Sequence, residues 1–448
     1  MGKKLGVSSI RIQSNLVWQN LVHSKFTVPA VISFSLLIKY AYALFIIDPL
    51  SGSEFNTYVL AAADIRNNGV FGKAHAIPVF PVGYPWFIAL IQTLFGANLV
   101  YVSCIQVTLF GIASVYYFKF VCSFLSREIA IISLALLSFS PALIAASTIM
   151  MYEVPMISFF IIGVYALFRI DSQACFRKKI AYGSLSGLYF GTTVLMQPKI
   201  IMAELIIIAI KIISYKQLKY KNLIIGFSII VPIALAPSLN VARNYIAGDG
   251  LGYTKNYSIN VVYGAIDSGG QIKTKCINPS VLGYDNLEYS ICLQKEKFVE
   301  RPAQALRITL DAGFNLLTPF IGSLQLDGGG TWFHAFDFRR ILTFYNWADP
   351  DSRWNQIDKG ISIIWMFFWT SLVIRGARTL KNSGKKLESK ILLYPTFSLL
   401  LLSVLAAGDS RYRLPVAPLY YALIAVSIHA IISKSSKRRS VEIQVPTK

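Results

Sequence analysis

The feature that most constrains this chain is a succession of apolar runs of near bilayer length, separated by short basic stretches. The first, VPAVISFSLLIKYAYALFII (28–47), carries a single charged residue, Lys39. A hydrocarbon core about 30 Å thick takes about 20 apolar residues of helix. Inside it every backbone N–H and C=O must find its partner within the segment or a closed barrel. Repeated runs of this kind predict an all-α polytopic membrane protein. Composition agrees: 54% of residues are hydrophobic, only 15% are charged, and mean hydropathy is +0.53. Soluble domains carry more charge than this.

Lys and Arg then assign the sides, since cytoplasmic loops are enriched in both. Spans are expected at 28–47, 98–120, 128–147, 151–169, 180–197, 200–214, 222–241, 360–376, 391–408 and 414–433. This bundle of about 10 transmembrane helices places Lys119, Arg127, the 177–179 cluster, Lys216, Arg375 and the 434–448 tail on one side. Both termini fall there, and the basic N-terminal segment reads as the cytosolic flank of a retained helix. The net charge of +21 therefore reflects sidedness rather than a nucleic-acid partner. Two further apolar stretches, 83–97 and 305–325, would invert this pattern if they crossed. The first, with about 15 residues, is short for a span and is expected as an external interfacial helix. The chain reads as one membrane domain, 1–448, with two external elaborations, 48–97 and 242–358.

The first elaboration opens with PLSGSEFNTYVLAAADIRNNG (49–69). Ser53 can cap a helix beginning at Glu54. Phe55, Tyr58, Val59, Ala62 and Ile65 share one face, and Gly69 suits a left-handed stop. Glu54 would stand in the first turn, where free N–H groups favour negative charge. Two readings stay open: a carboxylate that decorates a helix start, or one that faces a membrane-level cavity as a base.

These residues resemble a known family. Glu54, Tyr58, Ala62 and Gly69, with PVGYPWFIAL (81–90), are similar to the first external loop of GT-C glycosyltransferases. These polytopic enzymes take a sugar from a polyprenyl-phosphate carrier. They include protein O-mannosyltransferases, the aminoarabinose transferase of lipid A and rhizobial lipopolysaccharide galacturonosyltransferases. The likeness recurs in order at MYEVP (151–155), at Gly183 and Gly187 followed by Gln197-Pro198, at PSLNVARNY (237–245) and at RYRLPVAP (411–418). It departs twice. Glu54 stands where the family usually has Asp, which keeps the carboxylate and extends it by one methylene. Gln197 stands where Arg is common, which removes a phosphate contact.

The resemblance implies a GT-C-like bundle with external juxtamembrane helices. It also implies transfer of a hexosyl or pentosyl group to a glycan, lipid A or protein acceptor at the outer face of a bacterial inner membrane. Glu54 is the expected base of an inverting displacement, and Glu153 the second catalytic carboxylate. Charge builds on the departing phosphate, so it calls for cations. Arg243, Arg411 and Arg413 offer the planar fork that matches phosphate oxygens, and Lys199 and His75 are weaker candidates. Tyr84 and Trp86 either meet a sugar or anchor the interface. No metal is assigned; magnesium or manganese stays open.

Other patterns are assigned no chemistry. Gly183, Gly187 and Gly191 form a stripe for close helix packing. Gly328-Gly329-Gly330 lacks the Lys-Ser/Thr ending of a phosphate loop. Cys276 and Cys292 fall in one external loop and suit an oxidising compartment as a pair. The rival functions are a transporter or flippase of lipid-linked sugars, which would favour repeated halves, and a non-catalytic subunit of the same fold.

Overall fold

The computed structural model describes residues 20, 22–45, 53–73, 81–214, 220–246, 295, 299, 353–406 and 414–442. Among them the protein is helical, with no strand. The elements are α1 (Thr27–Phe45), α2 (Ser53–Asn68), α3 (Gly83–Phe95), α4 (Leu99–Cys122), α5 (Arg127–Ser138), α6 (Pro141–Ala146), α7 (Glu153–Arg169), α8 (Phe176–Met196), a 3-10 turn (Pro198–Ile200), α9 (Ile201–Ile213), α10 (Tyr220–Ile246), α11 (Arg353–Asn382), α12 (Lys386–Ala406) and α13 (Ala417–Glu442). Every expected span coincides with a helix or a pair of helices. Among the described residues four segments are long and apolar enough to cross a membrane alone: α1, α4, α10 and Leu414–Lys434.

Local chemistry sets the boundaries. Asn98 caps α4 by accepting from the Val100 N–H at 2.9 Å, and Ser126 caps α5 from Ile129 at 3.4 Å. Gly69 and Gly96 end α2 and α3 with φ of 91° and 99°, a region that costs a residue with a Cβ. Helices expected at 54–68 and 83–97 are present as α2 and α3.

The span expected at 128–147 is instead two helices. Pro141 has no N–H and disfavours helical geometry at the residue before it, so α5 stops at Ser138. The freed Ser138 carbonyl accepts from the Ser35 hydroxyl at 2.8 Å and the Lys39 ammonium at 2.6 Å. Lys39 also donates to Ser35 at 2.6 Å and stands 4.8 Å from the Phe110 ring centre. One cation inside α1 thus satisfies the end of α5.

Packing follows the small residues. α8 lies along α7 on one side and α10 on the other. A Cβ on Gly191 would sit 2.7 Å from the Pro232 carbonyl oxygen, and those on Gly183 and Gly187 would overlap Ser228 and Ile229. The expected stripe is therefore the α8–α10 contact. α11 crosses α13 in the same manner, with Gly376 against the Leu423 backbone. At the basic end, Arg127 donates to the carbonyls of Val22 and Ser24 at 2.8 and 3.1 Å. His429 meets Glu128 at 2.8 Å, Lys211 pairs with Asp171, and Lys385 reaches the Phe124 carbonyl.

The 305–325 segment, Gly328–Gly330, Cys276 and Cys292 lie outside the described residues. Cys104, Cys122 and Cys175 are free thiols.

Substituting Gly187→Ala should force α8 away from the Ile229 backbone and destabilise the protein by about 1–3 kcal/mol. Gly226→Ala, whose Cβ would meet nothing within 4 Å, should leave the detergent melting midpoint unchanged or slightly raised. Equal midpoints for the two variants would refute a tight α8–α10 seam.

Candidate active site

Phe71 and Val82, on either side of the stretch between α2 and α3, are fixed to the bundle by the last turns of α10. Asn240, Arg243 and Asn244 are spaced i, i+3, i+4, which puts them on one helical face, and all three are buried. Asn240 Oδ1 accepts from the Val82 N–H at 3.0 Å. Arg243 Nε donates to the Phe71 carbonyl at 3.1 Å, and its Nη1 donates to Asn244 Oδ1 at 2.9 Å. The sequence places Arg243 just after the 222–241 run; α10 continues to Ile246, and Arg243 is 0% exposed. A charge this buried is costly without partners, and the loop carbonyl and Asn244 supply two.

Above α10 sits a cluster of three tyrosines from three elements. Tyr58 of α2 meets Tyr84 of α3 edge-on, with ring centres 5.2 Å apart. Tyr152, just before α7, lies 6.1 Å from Tyr58 and 6.5 Å from Tyr84. Edge-to-face geometry at these distances is favourable. Gly83 makes this possible, because a Cβ there would come 2.6 Å from the Leu195 carbonyl carbon near the end of α8.

Tyr84 is fully buried, and its hydroxyl donates to Gln106 Oε1 at 2.7 Å. Gln106 in turn donates to the carbonyls of Ser147 and Ile149 at 3.4 and 3.0 Å. That network satisfies the non-helical stretch between α6 and α7. Burial raises the Tyr84 hydroxyl well above its ordinary pKa, and the nearby Glu153 carboxylate raises it further. Tyr84 therefore stays protonated and remains the donor.

Glu153 opens α7 and is 1% exposed. Gln197, in extended backbone after α8, donates from its amide to the Tyr152 hydroxyl at 2.6 Å. The residue that departs from the family's Arg thus holds the tyrosine beside Glu153. Lys199 follows within the 3-10 turn and is half-buried. Trp86 donates from its indole to the Val70 carbonyl at 2.7 Å, so its polar edge secures the turn after α2.

Glu54 stands in the first turn of α2, four residues before Tyr58 and so on the same helical face; its side chain lies outside the described residues. His75, Arg411 and Arg413 lie outside them entirely. The structure therefore brings Glu153, Tyr84, Lys199, Arg243 and the Glu54 backbone to one end of the bundle. Tyr152 and Gln106 join them without having been singled out in the sequence. Tyr152 could have been found, since it precedes Glu153 in MYEVP; Gln106 is one polar residue in an apolar run. Among the described residues no three His, Cys, Asp or Glu gather to hold a metal ion.

The architecture matches known proteins. Residues 79–239 match the family of dolichyl-phosphate-mannose-protein mannosyltransferases. The apo oligosaccharyltransferase of Archaeoglobus fulgidus superposes on 95% of this chain at a TM-score of 0.54 and 12% identity. The chain shares the fold of that archaeal enzyme. The same archaeal enzyme tethered to an acceptor peptide aligns over 93% at 0.51. Cupriavidus metallidurans ArnT bound to undecaprenyl phosphate aligns over 90% of this chain and 78% of its own at 0.43 and 11% identity. The chain spans 53% of the archaeal oligosaccharyltransferase. No curated protein matches it by sequence.

Replacing Tyr84 with Phe should leave Gln106 Oε1 short of a donor and cost about 1–3 kcal/mol, read as a lower melting midpoint. An unchanged midpoint would place that hydroxyl outside the supporting network.

Proposed function

We propose that this protein is a membrane glycosyltransferase that moves a sugar from a polyprenyl-phosphate carrier to an acceptor at the external face. The observation that carries the reading is the convergence at one bundle end. The start of α2, the buried Glu153, the Gln197–Lys199 turn and Arg243 all meet there, although they come from distant parts of the chain. The family matched over residues 79–239 is named for a dolichyl-phosphate sugar donor, and that stretch contains Tyr84, Glu153 and Lys199.

In this mechanism Glu54 takes the proton of an acceptor hydroxyl. The acceptor oxygen bonds to the anomeric carbon, and the bond from that carbon to the carrier phosphate breaks. The electron pair leaves with the phosphate, and configuration inverts. Arg243, with Arg411 and Arg413, stabilises the charge that develops there; Lys199 and His75 extend the cationic side. Glu153 orients the acceptor. Tyr84 acts from behind, through Tyr58 and Tyr152, as a positioning residue. The isoprenoid tail lies along the apolar flank of the bundle. A bacterial inner membrane, with this end facing the periplasm, is the setting, and the acceptor is a glycan, lipid A or a protein.

A deletion strain should lose one sugar from its lipid A, glycan or glycoprotein profile, and the wild-type gene should restore it. Glu54→Gln at equal abundance should fail to restore it while the purified variant still binds undecaprenyl phosphate. Restoration by Glu54→Gln would move the base elsewhere, and a deletion that changes only the sidedness of a lipid-linked sugar would favour a flippase. Arg243→Ala should weaken undecaprenyl phosphate binding roughly tenfold, as expected for a lost charge-assisted hydrogen bond. Unchanged binding would remove Arg243 from the phosphate site.

A further inference from the structure

A cavity of about 690 Å³ opens between α11 and α13, lined by Phe368, Leu372, Ile374, Arg375, Arg378 and Ile431, with Ser371, Thr379 and Asn382 at its margin. It lies at the end of the bundle away from Glu153. α7 runs from Glu153 to Arg169, and Lys385, just beyond α11, reaches the Phe124 carbonyl just past the far end of α4. On the positive-inside pattern this is the cytosolic boundary.

The wall has a polarity gradient. Arg375 and Arg378 are spaced i, i+3 and so face the same way. Phe368 is seven residues earlier, about 10 Å deeper along the axis. Leu372 and Ile374 lie between, and Ile431 contributes an exposed apolar side chain from α13. No carboxylate lines the cavity, and neither guanidinium makes an ion pair among the described residues. The Ser371 hydroxyl is already spent on the Phe368 carbonyl at 2.7 Å, so the polar recognition falls to the arginines, Thr379 and Asn382. The walls are held firmly where they cross, at Gly376 against the Leu423 backbone.

We infer that this cavity binds one anionic phospholipid of the adjacent leaflet. Its phosphate is forked by Arg375 and Arg378, and an acyl chain lies along Phe368, Leu372 and Ile431. Paired guanidiniums match phosphate oxygens in a way single ammonium groups do not. The apolar stem below them is what separates a lipid from a soluble anion. The site is independent of the transferase reading, since it lies at the opposite end of the bundle and uses none of the same residues.

The test is native mass spectrometry of the delipidated full-length protein, incubated with phosphatidylglycerol or with phosphatidylcholine of the same acyl chains. The wild type should retain one phosphatidylglycerol in preference to phosphatidylcholine. R375Q/R378Q should retain it roughly tenfold less, while R177Q/K178Q, which removes two exposed charges from the start of α8, should retain it as the wild type does. Should R375Q/R378Q aggregate, R375K/R378K keeps the charge without the fork and should show a smaller loss in the same comparison. Equal retention in the arginine variants, equal retention of the two lipids, or the same loss in R177Q/K178Q would overturn the assignment. Displacement by equimolar glycerol phosphate, which has the headgroup chemistry without tails, would also overturn it, in favour of a soluble-anion site.

Discussion

The end of the bundle that holds Glu153 depends on two hydrogen bonds from one face of α10. Asn240 takes the N–H of Val82, and Arg243 gives to the carbonyl of Phe71. Segments outside regular structure carry backbone groups that need partners when buried. Here the partners come from a helix distant in sequence. With Val82 and Phe71 held, α3 is seated against α4 and α8 and α2 against α3, and Tyr58, Tyr84 and Tyr152 come into edge contact. Glu153 then lies at the floor of the arrangement and not in water. The same bonds give Arg243 the partners that a fully buried guanidinium requires.

Glycine sets how near the supporting helices can come. α8 and α10 approach until the carbonyls of one occupy the space that a Cβ of the other would need. Without a strong hydrophobic drive between helices in lipid, that closeness supplies dispersion contact. It also brings the Gln197 turn at the end of α8 beside the last turns of α10. A wider spacing would separate the residues that hold Tyr152 from those that hold the loop.

Much of this was legible from residue patterns. Apolar runs and their basic flanks located the helices. Ser53, the apolar face through Ile65 and Gly69 located α2, and the glycine spacing of α8 marked a packing face. Three points were not legible. Pro141 was visible, but the helix break there is made tolerable by Lys39, 102 positions earlier, through the Ser138 carbonyl. Arg243 reads as a residue just outside the 222–241 run, and its burial against Phe71 was not legible. Tyr84 reads as a sugar contact or an interfacial anchor, and its hydroxyl bond to Gln106 was not legible. Each difference comes from a polar partner supplied by a remote segment.

The sequence by itself determined that the chain is helical and crosses a membrane, and roughly where its helices lie along the chain. Those properties depend on residues within a turn or two of one another and on transfer into lipid, which acts on each segment separately. Only the tertiary structure decided that Glu153, Gln197, Arg243 and the start of α2 share one end. Their meeting depends on which remote carbonyl or amide satisfies each buried polar group, and that is a property of the assembled helices, not of any one run.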